Sequence, residues 1–169
     1  MEFLVPVIQS DIVIDGIGNE KQWNKTEWQS EFWLWRPNDS LKASKQTRFK
    51  ILRSEKNLFV LIDLFTDGTK FVTPSLRRDF DTFGGDTITL LFDTFNDGTN
   101  AFSFTTNPLG LKKEGLISGG NQNYRTDRNY SWDTKWLVES KIYEDRYSVE
   151  IKIPLTSLFY NNSSSFWRL

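Results

Sequence analysis

The stretch from Asp86 to Gly110, DTITLLFDTFNDGTNAFSFTTNPLG, constrains the fold most, because both of its arms alternate apolar residues with others. Successive side chains of a β-strand point to opposite faces, so each arm presents one apolar side to a core. Asn96-Asp97-Gly98 lies between the arms and favours a tight turn, since these residue types tolerate positive φ. The stretch therefore predicts a long β-hairpin in an antiparallel sheet. Its alternating apolar residues are Ile88, Leu90, Phe92, Phe102 and Phe104.

Two further hairpins are predicted on either side of this one. Thr47–Arg53 pairs with Leu58–Phe65, and Trp136–Tyr143 pairs with Arg146–Ile153. Short strands joined by turns, with little helix, predict an all-β fold, a jelly-roll-like β-sandwich of two antiparallel sheets. The residues expected to face outward on the last strand are Ser148, Glu150 and Lys152.

Other segments are predicted to be less regular. Leu111–Ser131 is rich in Gly, Asn, Ser and Arg and is predicted to be a long loop, a feature that is uncommon unless it is functional or mobile. Phe71–Gly85 is predicted to be a structured loop, perturbed by its proline and glycines. Ile12–Gly16 is predicted to form a short strand, followed by a helical turn that Asn19 caps.

The composition excludes several classes of site. The 169 residues suit one domain, residues 1–169. The absence of His and Cys excludes nucleophilic sites of the Ser-His-Asp or Cys-His type. A net charge of −1 provides no field that attracts nucleic acid. No run of about 18 apolar residues predicts a membrane-spanning helix.

The two ends of the sequence are expected to have been cut from a longer polypeptide. Met1–Pro6 lacks the basic start and apolar centre of a signal peptide. Phe166–Leu169 has the pattern of a strand that has only begun. We therefore expect a domain excised from an exported protein, without its signal sequence and its C-terminal portion.

Short motifs follow one another along nearly the whole chain. They are Ile14-Asp15-Gly16 with Glu20 and Trp23, Leu58-Phe59-Val60, Arg77-Arg78-Asp79, Asp86, Phe92-Asp93-Thr94-Phe95-Asn96-Asp97, Asn107-Pro108-Leu109-Gly110, Trp132-Asp133-Thr134-Lys135-Trp136 and Ile153-Pro154-Leu155. In this order they resemble the carbohydrate-binding module family 9-like domain. More narrowly, the chain is similar to the version at the N-terminus of bacterial, often Bacteroidetes, surface proteins whose remainder resembles an outer-membrane β-barrel.

The resemblance implies a non-catalytic, exported β-sandwich of the periplasm or cell surface that binds an oligo- or polysaccharide, with bound calcium in some relatives. Two functions stay open. In the first, the domain recognises a saccharide by Trp stacking and by hydrogen bonds from Arg, Asp and Asn. In the second, it is a structural or interaction domain that docks on its own C-terminal portion or on a partner protein.

Exposed aromatic side chains are the expected platforms for a sugar, because the C–H face of a sugar ring stacks on an indole. Trp132 and Trp136 flank Asp133 and are candidates, as are Trp33 and Trp35, which share one face of an extended chain. For all four residues the alternative is a place in the core or over a sheet edge.

Planar polar side chains are the expected partners of sugar hydroxyls. Arg77 and Arg78 lie with Asp86 in the densest group of charges, and the alternative is a salt-bridge network that fixes a loop. Asn107 is a further candidate, and its alternative is the capping of backbone groups in a turn.

Oxygen-bearing side chains at the tip of the central hairpin are the candidate calcium ligands. They are Asp93, Asp97 and Asn96, spaced every few residues. Because Asp and Asn also make tight turns, a purely structural role is the alternative. Asp15 with Glu20 is a second candidate pair.

Overall fold

The computed structural model describes residues 2–34, 39–121, 128–161 and 166–169, and within these ranges the regular structure is almost entirely β. The described strands are β1 (Thr47–Arg53), β2 (Asn57–Phe65), β3 (Ile88–Phe92), β4 (Ala101–Thr106), β5 (Lys112–Ile117), β6 (Arg128–Asn129), β7 (Leu137–Ile142) and β8 (Arg146–Pro154). Short 3₁₀-helices lie at Lys21–Lys25, Gly119–Asn121 and Leu155–Ser157. In these described ranges no helix is long and apolar enough to cross a membrane.

The strands form two four-stranded sheets, in the orders β1-β2-β8-β7 and β3-β4-β5-β6. The central hairpin is confirmed: β3 and β4 pair antiparallel, with Leu90 opposite Phe104 and Phe92 opposite Phe102. The other two predicted hairpins are confirmed as β1 with β2 and β7 with β8. The prediction of an all-β fold with two antiparallel sheets is therefore confirmed, as expected for a β-sandwich.

The chain divides into two compact units, each containing one sheet. The first unit comprises Met1–Phe71 and Leu137–Ile153, and the second comprises Val72–Trp136 and Pro154–Leu169. The organisation of residues 1–169 as a single domain stays a prediction.

In the first unit, the central strands β2 and β8 are buried on both faces, and the N-terminal segment covers one of these faces. This segment carries Trp23 in the helix Lys21–Lys25, and Trp23 packs with Leu52 and Phe59 in one core cluster. The outward position predicted for Glu150 and Ser148 is therefore wrong, because this segment covers the face that they occupy, and both residues are buried.

Three local predictions also fail. Residues 12–16 form no strand, and the helix Lys21–Lys25 begins after Glu20, without the side-chain cap expected from Asn19. The predicted loop Leu111–Ser131 contains β5 and β6. The first four residues of β5, Lys-Lys-Glu-Gly, lack the apolar pattern of a strand. The glutamate, Glu114, is nevertheless buried, because Arg78 and the indole N–H of Trp136 are its partners.

Candidate functional site

Arg78 lies at the centre of a charged group in the second unit. Its Nη2 donates to Oε1 of Glu114 and, at 2.5 Å, to Oδ1 of Asp133. Its Nε lies 3.5 Å from Oδ2 of Asp79. One guanidinium thus joins a strand, the loop before β3 and the segment before β7. We call Arg78, Glu114, Asp133, Trp132 and Trp136 the Arg78 cluster.

Glu114 is the buried member of the Arg78 cluster, with a side chain that is 1% exposed. Its Oε2 accepts the indole N–H of Trp136 at 3.0 Å. Burial raises the pKa of Glu114, against the opposing effects of the indole N–H and of Arg78. A hydrogen bond with Glu114, together with the charge of Arg78, lowers the pKa of Asp133. Of the two carboxyl groups, Glu114 therefore has the higher pKa and Asp133 the lower.

The loop that carries Arg78 is fixed on β5 by bonds to its backbone. The N–H of Asp79 donates to the carbonyl of Lys112 at 3.0 Å, and Nζ of Lys113 donates to the carbonyl of Phe80 at 2.9 Å. Phe80 is itself buried. Asp79 adopts a φ of 58°, which turns the chain at this point. These contacts hold the guanidinium above Glu114.

Trp132 is half-buried and lies next to Asp133 in the chain. Its ring centroid is 5.3 Å from that of Phe102 and 6.0 Å from that of Phe104, so part of the indole rests on β4. The side chain of Asp133 is 76% exposed and that of Arg78 is 44% exposed. The cluster therefore places a half-buried indole one residue along the chain from Asp133, whose carboxylate reaches solvent together with the guanidinium of Arg78.

Trp136 has a different place from the one expected of a sugar platform. It is 2% exposed and packs edge-on against Phe104 at 5.3 Å. Its carbonyl accepts a bond from Nζ of Lys112 at 3.0 Å. Trp136 therefore lies in the core, which was the alternative to a sugar platform. Its indole N–H bonds Glu114, and its ring offers no face to a ligand.

The other polar candidates of the second unit lie in turns and loops. Asn107 is 2% exposed, and its Oδ1 accepts the N–H groups of Leu109 and Leu111, as the capping alternative anticipates. Asp86 is exposed and accepts the N–H of Val72 at 2.7 Å, which closes the loop before β3. Arg77 is exposed beside Arg78.

The remaining aromatic candidates lie in the first unit. Trp33 is 55% exposed, and Nζ of Lys42 lies 5.8 Å from its ring centroid. A single β-bridge pairs Trp33 with Lys42. Trp35 lies outside the described residues.

The hairpin tip uses its acidic side chains as turn acceptors. Asp93 accepts the N–H groups of Asp97 and Gly98. Asp97 accepts from Asn100 and Thr99, and these bonds hold its pKa well below the usual range. Asn96 adopts a φ of 57° within the same turn. Calcium at this tip stays a prediction, and the turn bonds favour the structural alternative.

Asp15, Glu20 and Glu150 form the only group of three acidic side chains near enough to share a cation among the described residues. Their ligand atoms lie within 4.8 Å of one another. Oε2 of Glu20 is buried without a hydrogen-bond partner in this part of the chain. Glu150 accepts from the N–H groups of Asp15 and Gly16 at 3.0 and 2.9 Å. An all-oxygen set with one orphaned oxygen fits calcium chemically.

Sequence analysis singled out neither Glu114 nor Glu150. Both are glutamates with an indole N–H as partner, at Trp136 and Trp23. The available signal was alternation: Glu114 lies two residues before Leu116, and Glu150 lies between apolar residues of a strand. This alternation predicts that Glu150 faces solvent, whereas Glu114 falls in the segment that is predicted to be a loop.

The sequence matches the family model described as "Carbohydrate family 9 binding domain-like" over residues 14–166. No curated protein sequence matches the chain.

Solved structures of similar fold come from two bacteria. A carbohydrate binding module family 9 from Caldicellulosiruptor kristjanssonii, in complex with glucose, is 16% identical, with a TM-score of 0.58 over 90% of this chain and 69% of that one. Its complex with cellotriose gives 17% identity and a TM-score of 0.57 over 89% and 66%. A proposed carbohydrate-binding protein from Bacteroides uniformis gives 12% identity and a TM-score of 0.63 over 90% and 72%.

Proposed function

The chain belongs to the carbohydrate family 9 binding domain-like family, and from this membership we propose that it is a non-catalytic module that binds a saccharide at the Arg78 cluster. The first unit has no part in this proposal. The glucose and cellotriose held by similar structures support a neutral sugar as the first ligand to test.

The observation that carries the proposal is the adjacency of Trp132 to the pair formed by Asp133 and Arg78. An indole face binds the C–H side of a sugar ring, while a carboxylate and a guanidinium bond its hydroxyls. Phe102 and Phe104 hold the indole, and Glu114 holds the guanidinium. A site whose groups are fixed before binding loses less conformational entropy when the ligand arrives.

The same geometry supports a role without catalysis. Retaining and inverting glycosidases separate their two carboxyl groups by about 5–5.5 Å and about 6.5–9.5 Å. Glu114 and Asp133 both accept from one nitrogen of Arg78, and Glu114 is buried, so this pair does not flank an open cleft. We further propose that the module works outside the cytoplasm, at the cell surface or in the periplasm, as its family context suggests.

The test is a calorimetric titration of the chain with cellotriose and glucose. We expect saturable binding and a loss of about tenfold in affinity for Trp132→Ala, since an aromatic stacking contact is worth about 0.5–1.5 kcal/mol beyond the area that it buries. We expect a similar loss for Arg78→Lys, which removes the planar fork. Arg53→Lys, at an exposed arginine of the first unit, is the matched control and should bind normally.

Absence of binding to a panel of neutral, acidic and amino oligosaccharides would overturn the proposal. Equal affinities of the chain and of Trp132→Ala would remove the site while leaving the family assignment intact. Loss of binding in Trp33→Ala instead would move the site to the first unit.

A second candidate function is a docking domain that contacts its own C-terminal portion or a partner protein. Exposed apolar side chains of the second unit favour it: Phe159 is 73% exposed, Phe166 is 63% exposed and Leu169 is 48% exposed. Such residues are typical of protein contacts when they lie together. No binding of any saccharide in the titrations, together with binding to the C-terminal portion or to a partner protein, would favour this function.

A further inference from the structure

Asp63 is a buried carboxylate of the first unit that two arginines share. Nε and Nη2 of Arg48 donate to its Oδ2 at 2.8 and 2.6 Å, and Nε of Arg146 lies 3.5 Å from its Oδ1. Arg48 is opposite Asp63 in the pairing of β1 with β2, and Arg146 begins β8, the neighbour of β2 on its other side. The side chain of Asp63 is 6% exposed, so both guanidinium groups rest on a carboxylate that solvent hardly reaches.

Aromatic rings hold the same two guanidinium groups. Cζ of Arg48 lies 4.1 Å from the ring centroid of Trp28 and 5.1 Å from that of Phe65. Cζ of Arg146 lies 4.3 Å from the ring centroid of Tyr143. Stacking on a ring, together with the ion pair, restricts the rotamers of a long side chain. Both arginines are therefore oriented before a ligand binds, which lowers the entropy that binding costs.

Both arginines keep hydrogen-bond donors that the described residues do not use. The bonds of Arg48 engage Nε and Nη2, and its side chain is 37% exposed, so the edge formed by Nη1 and Nη2 remains for a ligand. Within the described ranges, Nε of Arg146 and Oγ of Ser148 are buried without a hydrogen bond. Ser148 is 1% exposed and lies two residues from Arg146 on the same face of β8. Since buried polar atoms are nearly always bonded, these two atoms favour a polar ligand here.

The charged side chains of this group leave one positive charge in excess. The cations are Arg48, Arg146 and Lys50, and the carboxylates are Asp63 and Asp145. Lys50 is buried, and its Nζ lies 5.0 Å from the ring centroid of Trp28. Asp145 accepts from Nη1 of Arg146 at 2.9 Å, but its side chain is 61% exposed. An anion is therefore the ligand that the charges favour.

We propose that Arg48 and Arg146, with the hydroxyl of Ser148 beside them, form a second ligand site that binds the carboxylate of an acidic sugar. The free edge of the Arg48 guanidinium carries parallel donors, and these match the two oxygens of a carboxylate. The choice of a sugar as the carrier of the carboxylate rests on the proposed function. The choice of a carboxylate rests on the donors and charges of the first unit alone.

The test is a calorimetric titration of the chain with glucuronate, with glucose as the matched ligand that lacks the carboxylate. We expect glucuronate to bind about tenfold more tightly than glucose, and its binding to weaken as salt rises from about 0.05 M to about 0.5 M. Arg48→Lys keeps the charge but loses the fork, and should lower the affinity for glucuronate about tenfold. Arg53→Lys, at the exposed end of the same strand, is the matched control and should bind normally.

Asp145→Asn is a second variant that leaves the buried ion pairs of Asp63 intact. It removes an exposed carboxylate from Nη1 of Arg146, which frees a donor and removes a charge that repels an anion. The affinity for glucuronate should therefore rise about threefold. A purely structural role of the two arginines would not produce this gain.

Equal affinities for glucuronate and glucose would overturn the proposal, as would an unchanged affinity for glucuronate in both Arg48→Lys and Asp145→Asn. Inorganic phosphate that binds as tightly as glucuronate would show a general anion site and overturn the choice of an acidic sugar. Loss of glucuronate binding in Arg78→Lys would place the ligand at the Arg78 cluster and also overturn it.

Cellotriose separates this proposal from the proposed function. Arg48→Lys should bind cellotriose as the parent chain does, because the Arg78 cluster lies in the second unit. If cellotriose does not bind while glucuronate does, the neutral-sugar site at the Arg78 cluster fails and the site of Arg48 and Arg146 stands. The opposite result would overturn the site of Arg48 and Arg146 alone.

Discussion

The indole nitrogen of Trp136 lies 3.0 Å from Oε2 of Glu114, and both side chains are buried. The first unit repeats this relationship at 3.1 Å between Trp23 and Oε1 of Glu150. The two glutamates differ in their other partners. Glu114 bonds the guanidinium of Arg78, whereas Glu150 accepts backbone N–H groups at the start of the chain. The two sites should therefore respond differently to mutation and to pH.

Trp136→Phe should lower the free energy of unfolding by about 1–3 kcal/mol, because Glu114 loses a buried hydrogen-bond donor. Urea unfolding followed by circular dichroism measures the change. Trp33→Phe alters an exposed ring and should change stability by less than about 0.5 kcal/mol. Equal stabilities of Trp136→Phe and the parent chain would contradict the role given to this bond.

Burial raises the pKa of Glu150 to about 7, and the nearby charge of Glu20 adds to the effect of burial. The folded state therefore holds this proton more tightly than the unfolded state, whose glutamates titrate near 4.3. Stability due to this group is greatest below that unfolded pKa and is lost as the pH rises through 7. Between pH 4.5 and pH 8 the free energy of unfolding should fall by about 2–3 kcal/mol from this group.

Glu150→Gln, measured beside the parent chain in a chelating buffer, should remove most of this decrease. Glu55→Gln, at an exposed glutamate of the turn between β1 and β2, is the control and should keep the decrease of the parent chain. If the free energies of unfolding of the parent chain and of Glu150→Gln change equally between pH 4.5 and pH 8, Glu150 has no raised pKa.

The effect of calcium on stability distinguishes the two candidate calcium sites, the group of Asp15, Glu20 and Glu150 and the hairpin tip with Asp97. If the ion raises the melting temperature, Glu20→Gln should abolish the shift, because Glu20 supplies the orphaned buried oxygen of the group with Asp15 and Glu150. Asp97→Asn should preserve the shift. Ligand binding raises stability in proportion to the logarithm of free ligand, so a calcium series in differential scanning fluorimetry measures it. The reverse pattern would place the ion at the hairpin tip.

Gly16→Ala should be strongly destabilising, by about 2 kcal/mol or more. Gly16 has a φ of 80°, and a Cβ there would lie 2.6 Å from the backbone carbon of Ser140. Gly68→Ala is the matched control: φ is 91° but no atom lies within 4 Å of the added carbon, so only the conformational cost of about 1 kcal/mol remains. Equal decreases in the free energy of unfolding for the two variants would show that the close approach to Ser140 does not destabilise Gly16→Ala.

Sequence patterns predicted the strands whose partners lie close in the chain. Turn residues and period-two apolar spacing determine the hairpin of β3 and β4, and both signals are local. Strand β5 escaped prediction because its inward residue is Glu114, whose partners Arg78 and Trp136 lie 36 and 22 residues away in the chain. A charged residue at a core position breaks the pattern on which such prediction depends.

The candidate site was predicted in part for the same reason. Trp132 and Arg78 were named from their residue types, and they lie in one cluster. Nothing in the local spacing distinguished half-buried Trp132 from buried Trp136, since their places depend on Phe104 and on Glu114. Similarly, Asp15 and Glu20 were paired from their spacing, but Glu150 joins them through strand β8.

The central claim, that Trp132 is a binding surface of the Arg78 cluster, is tested most directly by the indole N–H signals of the seven tryptophans in a two-dimensional NMR spectrum. Assignment by single Trp→Phe variants precedes titration with cellotriose. We predict that the signals of Trp132 and, through Glu114, of Trp136 shift to saturation while that of Trp23 remains in place. Saturating shifts confined to Trp23 or Trp33, or unchanged spectra throughout the titration, would contradict the account.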